Sequence, residues 1–115
     1  MNRSYKGDVT PAECWAALEG DDAFLVDVRT SAEWNFVGFP LTPDNRAQPV
    51  FAEWQTYPSM SIDGSFGARL ASAIGAAGGT AQSQVYFLCR SGARSMASAA
   101  ALTGEGFENC FNILD

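Results

Sequence analysis

The stretch Val85-Tyr86-Phe87-Leu88-Cys89-Arg90-Ser91-Gly92-Ala93-Arg94-Ser95-Met96-Ala97-Ser98-Ala99-Ala100-Ala101-Leu102 decides the fold. Its first four residues are an apolar run, too short for a helix and rich in β-branched and aromatic side chains, which reads as a buried strand. From Ser95 to Leu102 alanine dominates, and that segment reads as a helix. Between them, Cys89 to Ser95 form a short loop. A thiol therefore sits where a strand stops and a helix begins. Backbone N–H groups at a helix start lack intrahelical partners, and the helix dipole adds partial positive charge there. Arg90 and Arg94 add two full charges. Together these favour thiolate over thiol, and the thiolate is the nucleophile. Gly92 lets the loop amides turn toward an anion. A lone cysteine is more often an inert core residue; here strand, Cys, Gly, two Arg and helix coincide, which favours a nucleophile.

Working upstream, Ala23-Phe24-Leu25-Val26-Asp27-Val28-Arg29 reads as a second strand, its continuous apolar run suited to a parallel strand buried on both faces. Its polar residues, Asp27 and Arg29, come at the C-terminal end. In open α/β sheets ligands gather at that end of the strands, so Asp27, Arg29 and Cys89 are expected on one rim. Thr30-Ser31-Ala32-Glu33 resembles a capped turn opening a short helix through Trp34 and Phe36. Alternating strands and helices give an α/β fold with a mainly parallel central sheet and helices on both faces.

Cys89-Arg90-Ser91-Gly92-Ala93-Arg94-Ser95 after an apolar strand resembles the active-site loop of the rhodanese (sulfurtransferase) domain. Leu25-Val26-Asp27-Val28-Arg29 followed by Glu33-Trp34 is similar to that family's upstream Asp-x-Arg…Glu-aromatic element. The resemblance runs from about Gly7 to Asp115. It implies one rhodanese-like domain over residues 1–115 that carries sulfane sulfur on Cys89. The donor would be thiosulfate or a persulfide, and the acceptor cyanide or a thiol. A sulfur-relay protein is a further candidate partner. By the same resemblance the amides of Arg90 to Ser95 would hold the anionic sulfur, Arg90 would attract the donor and Arg94 would brace the loop. The Ser91 and Ser95 hydroxyls would donate to the sulfur. Asp27, Arg29 and Glu33 would support the site structurally. The sequence departs from the family pattern at Gly38-Phe39-Pro40-Leu41-Thr42-Pro43-Asp44, where a Gly-His-Ile-Pro-Gly-Ala element is common. The family's Gly-rich turn and last helix do not follow Asp115, so a trimmed end, or a neighbouring chain or fold variation covering that surface, is expected.

Two other functions fit less well. Related cysteine-dependent phosphatases enclose five residues between Cys and Arg, whereas Cys89 and Arg94 enclose Arg90, Ser91, Gly92 and Ala93. The tighter loop suits a sulfur atom better than a tetrahedral phosphate. Rhodanese-like modules that serve only in binding can lack the cysteine, which is present here.

Composition narrows the field further. The 115 residues suit one core. A formal charge of −6, from seven basic and thirteen acidic residues, argues against nucleic acid or an anionic membrane as partner. Three of the seven basic residues are Arg29, Arg90 and Arg94, an arrangement that suits a small anionic ligand. Histidine is absent, so no imidazole base or His-based metal site exists. Cys14, Cys89 and Cys110 lack metal-ligand spacing, and no cofactor is expected. No apolar run nears the ~20 residues that span a bilayer, and the first residues lack a signal-peptide core. An odd cysteine count suits a reducing compartment, and a cytoplasmic location is the expectation.

The remaining elements read as follows. Tyr5 to Val9 suits an edge strand. Thr10-Pro11-Ala12-Glu13 is a capping box with proline at the first helical position; Cys14, Trp15 and Leu18 form that helix's apolar face. A short strand is expected within 49–54 and a loop of large side chains over 53–60, packed on the core, walling the site or offering a partner-docking surface. Asp63 to Ala77 reads as a helix with Phe66, Leu70, Ile74 and Ala77 on one face, stopped by Gly78-Gly79. Gly104 and Gly106 end the alanine-rich helix, and Cys110 to Ile113 form the last strand, with Cys110 in the core.

Overall fold

The structure, a computed structural model, describes residues 5–20, 22–28, 50–51, 55–56, 61–62, 66–88 and 93–114. Its strands are β1 (Gly7–Val9), β2 (Ala23–Asp27), β3 (Val50–Phe51), β4 (Gln55–Thr56), β5 (Ser61–Ile62), β6 (Gln84–Leu88) and β7 (Asn109–Ile113). Its helices are α1 (Pro11–Leu18), α2 (Phe66–Ala76) and α3 (Ala93–Thr103). The main sheet has five strands in the order β1-β7-β6-β2-β3. Every pairing in it is parallel. The expected α/β class is therefore observed, with the helices divided between the two faces of the sheet.

Strand alternation sorts the core into two layers. On one face Phe24, Val26, Val28, Val85, Phe87 and Cys110 meet Phe66, Leu70 and Ile74 of α2 and Ala99 and Leu102 of α3. On the other, Leu25, Tyr86 and Ile113 meet Cys14 and Leu18 of α1. Tyr86 and Phe111 stack there, with ring centroids 4.9 Å apart. No helix among the described residues is long and apolar enough to cross a membrane.

Local chemistry explains the helix ends. Thr10 is extended (φ −80°, ψ 160°); its hydroxyl accepts from the Glu13 N–H at 3.1 Å, and its own N–H donates to Glu13 Oε1 at 2.9 Å. Those two bonds hold the Glu13 carboxyl below its ordinary range. At the other end of the core, α2 closes with a Schellman motif. Gly78 N–H donates to the Gly75 carbonyl and Gly79 N–H to that of Ile74, and Gly78 takes φ +94°.

Four expectations shift. Trp15 is 45% exposed rather than buried. The buried face of α1 is centred on the i, i+4 pair Cys14 and Leu18, and Trp15 is turned about 100° from Cys14, onto the flank. Ala77 lies beyond α2, exposed in the closing turn. The expected loop over 53–60 contains β4, which pairs antiparallel with β5; strands of two residues are too short to show a period. The alanine-rich helix starts at Ala93, two residues before its expected start at Ser95.

Gly79 is required sterically. A Cβ there would lie 2.4 Å from Ile74 Cγ2 and 2.8 Å from Phe24 Cε2. Gly75, in the exposed part of α2, has open space around it. Gly79→Ala should lower unfolding free energy by about 1–3 kcal/mol, whereas Gly75→Ala should be neutral or stabilise by up to ~1 kcal/mol. Urea titration of both variants checks this pair.

Candidate active site

The rim is built by register. β2 and β6 pair from Ala23 opposite Gln84 to Asp27 opposite Leu88, so both strands end in the same row. The Val28 N–H then donates to the Leu88 carbonyl at 3.0 Å, extending the pairing by one bond. Cys89 is the next residue in sequence after Leu88, and α3 begins at Ala93. The sequence motif thus runs from a strand end to the N-terminus of a helix of 11 residues.

Asp27 is fully buried in that last row, beside Leu88. Ser95, in the first turn of α3, is also fully buried. Its hydroxyl donates to Asn112 Oδ1 on β7. Asn112 Nδ2 in turn donates to Asp8 Oδ1 at 3.1 Å, and the Tyr5 hydroxyl donates to the same oxygen at 2.9 Å. Ser98 knits the turn together, donating to the carbonyls of Arg94 at 2.6 Å and Ser95 at 3.2 Å. Arg94 itself is partly buried.

The two described thiols have a different character. Cys14 and Cys110 are unpaired and buried. Burial pushes each of them up to about 11. For Cys110 a hydrogen bond from Thr103 offsets this slightly. At about pH 8 only ~0.1% of such a thiol is thiolate, an environment that suits packing rather than nucleophilic attack. Among the described residues no group of His, Cys, Asp and Glu could hold a metal ion.

The family model described as "Rhodanese-like domain" matches residues 10–115. The chain belongs to the rhodanese-like domain family. An uncharacterized protein of Rickettsia conorii is 39% identical over 98 residues, 85% of this chain and 72% of the relative. An uncharacterized protein of Rickettsia prowazekii is 39% identical over 95 residues, 83% and 69% of the two chains. The crystal structure of Rv0390 from M. tuberculosis superposes with a TM-score of 0.78 at 37% identity, covering 96% of this chain and 79% of that one.

Within this rhodanese-like fold, Asp27, Arg94 and Ser95 fall at or next to the C-terminal rim, with Ala93 opening α3. Cys89, Arg90, Ser91 and Gly92 lie outside the described residues, as do Arg29, Glu33, the turn at 30–36 and the segment 38–44. Among the described residues, the Ser95 hydroxyl donates to Asn112 Oδ1. Asn112 and Asp8 were not picked out from sequence. The available signal was period two: Asn112 shares the inward face of β7 with Cys110, so a polar side chain occupies a core position.

The buried thiols generate an alkaline prediction. Their values in the folded chain lie above the ordinary 9.0. The stability they contribute is therefore whole below pH 9 and is lost as pH rises through about 11. The Tyr86 phenol, also pushed up, first by burial and then by Cys14 and Glu13, adds to the same loss. Melting temperature followed by circular dichroism should fall across this window. The fall should be shallower in a Cys14→Ala/Cys110→Ala variant.

Proposed function

We propose that this rhodanese-like domain is a sulfurtransferase with Cys89 as its nucleophile. The observation that carries the reading is the in-register end of β2 and β6, with α3 beginning just after the Cys89-Arg90-Ser91-Gly92 stretch. The N-terminal amides of α3 face the rim and favour an anion there. With Cys14 and Cys110 held protonated in the core, Cys89 is left as the thiol for the chemistry.

The reaction is a double displacement. The Cys89 thiolate attacks the outer sulfur of thiosulfate; a sulfur–sulfur bond forms to Cys89, and the bond to the sulfonate sulfur breaks. Sulfite leaves with the electron pair, and Cys89 carries a persulfide anion. A thiolate or cyanide then attacks the outer sulfur, and the Cys89 thiolate leaves as the new persulfide or thiocyanate departs. No proton changes hands in either step, so a chain without histidine can run it. Backbone amides of the loop and of the first turn of α3 stabilise the persulfide as preorganised donors. Arg90 and Arg94 add positive potential in an otherwise acidic chain.

Intact mass spectrometry after incubation with thiosulfate tests the proposal. The chain should gain one sulfur atom, and Cys89→Ser should gain none. No gain on Cys89, with iodoacetamide reacting no faster there than at Cys14 or Cys110, would make this a binding module instead. A charge prediction accompanies it. Arg90→Ala should raise KM for thiosulfate by about fivefold, roughly one screened charge contact of ~1 kcal/mol, and change transfer from a neutral persulfide donor much less. Equal effects on both donors would make Arg90 structural.

A further inference from the structure

We propose that Asn112 is a positioning residue for the site: through Ser95 it fixes the first turn of α3, and so the amides that the sulfur anion meets. The inference rests on the sulfurtransferase reading for its catalytic consequence, and on geometry for the rest.

Asn112 is 2% exposed and lies in one row with Val26 and Phe87, its register partners across β7, β6 and β2. The row continues to Asp8 on β1. It is apolar through the middle of the sheet and turns polar at Asn112. The orientation of the amide is decided by its neighbour. A carboxylate only accepts hydrogen bonds, so Nδ2 must face Asp8 and Oδ1 must face Ser95. The Ser95 hydroxyl is thereby committed as a donor. Asp8, held also by the Tyr5 hydroxyl, polarises the chain of bonds that ends on α3.

An apolar pair in place of Ser95 and Asn112 would fill the same space with no polar group to desolvate, and such swaps are often neutral for stability. What the polar pair adds is direction. Below the first turn, α3 meets the sheet through Ala99 and Leu102, contacts that resist separation but tolerate rotation of the helix about its axis. A hydrogen bond from Ser95 to the sheet fixes that rotation at the first turn, where α3 starts. Misplacing reacting groups by about 1 Å can cost ~100-fold in rate.

The test compares Asn112→Leu, Ser95→Ala, Ser95→Thr and the Ser95→Ala/Asn112→Leu double variant. Gly79→Ala serves as a control that is destabilised far from the rim. The readout is the pH dependence of iodoacetamide labelling at Cys89, measured alongside sulfur transfer. Asn112→Leu and Ser95→Ala should each move the labelling midpoint upward by about one pH unit, about 1.4 kcal/mol of lost thiolate stabilisation, and slow sulfur transfer at least ~10-fold. Ser95→Thr should restore both, and the double variant should be no worse than either single one. If Asn112→Leu does not fold, the Ser95→Ala and Ser95→Thr pair decides. An unchanged labelling midpoint in the folded variants, or the same shift in Gly79→Ala, would overturn the proposal. Labelling is read whether or not Cys89 takes up sulfur, so failure of the sulfurtransferase reading is seen separately, in the unmodified chain.

Discussion

The bond from the Val28 N–H to the Leu88 carbonyl, 3.0 Å long, is the last link of the pairing between β2 and β6 among the described residues, and the rim is set by it. Because the pairing is in register, Asp27 and Leu88 finish side by side. The link from β6 to α3 is short, so the helix must also start at this rim. Slipping β2 by one residue would turn Phe24, Val26 and Val28 away from α2 and α3 and send Leu25 toward them. Side chains alternate with period two and both faces are buried, so register is strongly specified. The same packing that stabilises the sheet therefore fixes the row from which the chain leaves β6 toward α3.

The two faces carry this load unequally. On one, α2 and α3 together cover Phe24, Val26, Val85 and Phe87. Gly67 of α2 makes the two helices a close pair, since a Cβ there would lie 3.1 Å from the Ala101 carbonyl oxygen. On the other face, α1 has eight residues and buries Cys14 and Leu18. So short a helix is marginal by propensity alone. Its capping box and N-terminal proline compensate, the first by satisfying end groups and the second by limiting the unfolded chain. The helix that bears on the site is thus the one held in two directions, by Gly67 of α2 and by Asn112 of β7.

What was legible in the sequence was mostly local. The capping box at Thr10, the double glycine after α2, the apolar runs of β2 and β6 and the alanines of α3 are each specified within a few residues. Each formed as read, with shifts of one or two positions at the ends. The family resemblance was carried by Cys89 to Ser95 and by Asp27 to Arg29, and it supplied the fold directly. What was not legible depends on distant parts of the chain. Asn112 and Asp8 are 104 residues apart and meet only because β7 lies beside β1. Nothing near Ser95 in sequence shows that its proton is taken by a strand that follows α3. The pairing of β4 with β5 was hidden for another reason: two-residue strands have no period to read.

The layered sheet gives its two described cysteines the same kind of environment. Cys14 and Cys110 point into the two apolar layers, one on each face. A thiolate there would lose its hydration and gain no opposite charge, so burial keeps the proton on. Cys89 instead follows the end of β6 in sequence, shortly before α3 begins at Ala93. On the proposed reading, what distinguishes Cys89 is its place in sequence between the end of β6 and the start of α3. On the same proposed reading, a chain with no histidine holds one thiol ready and two at rest.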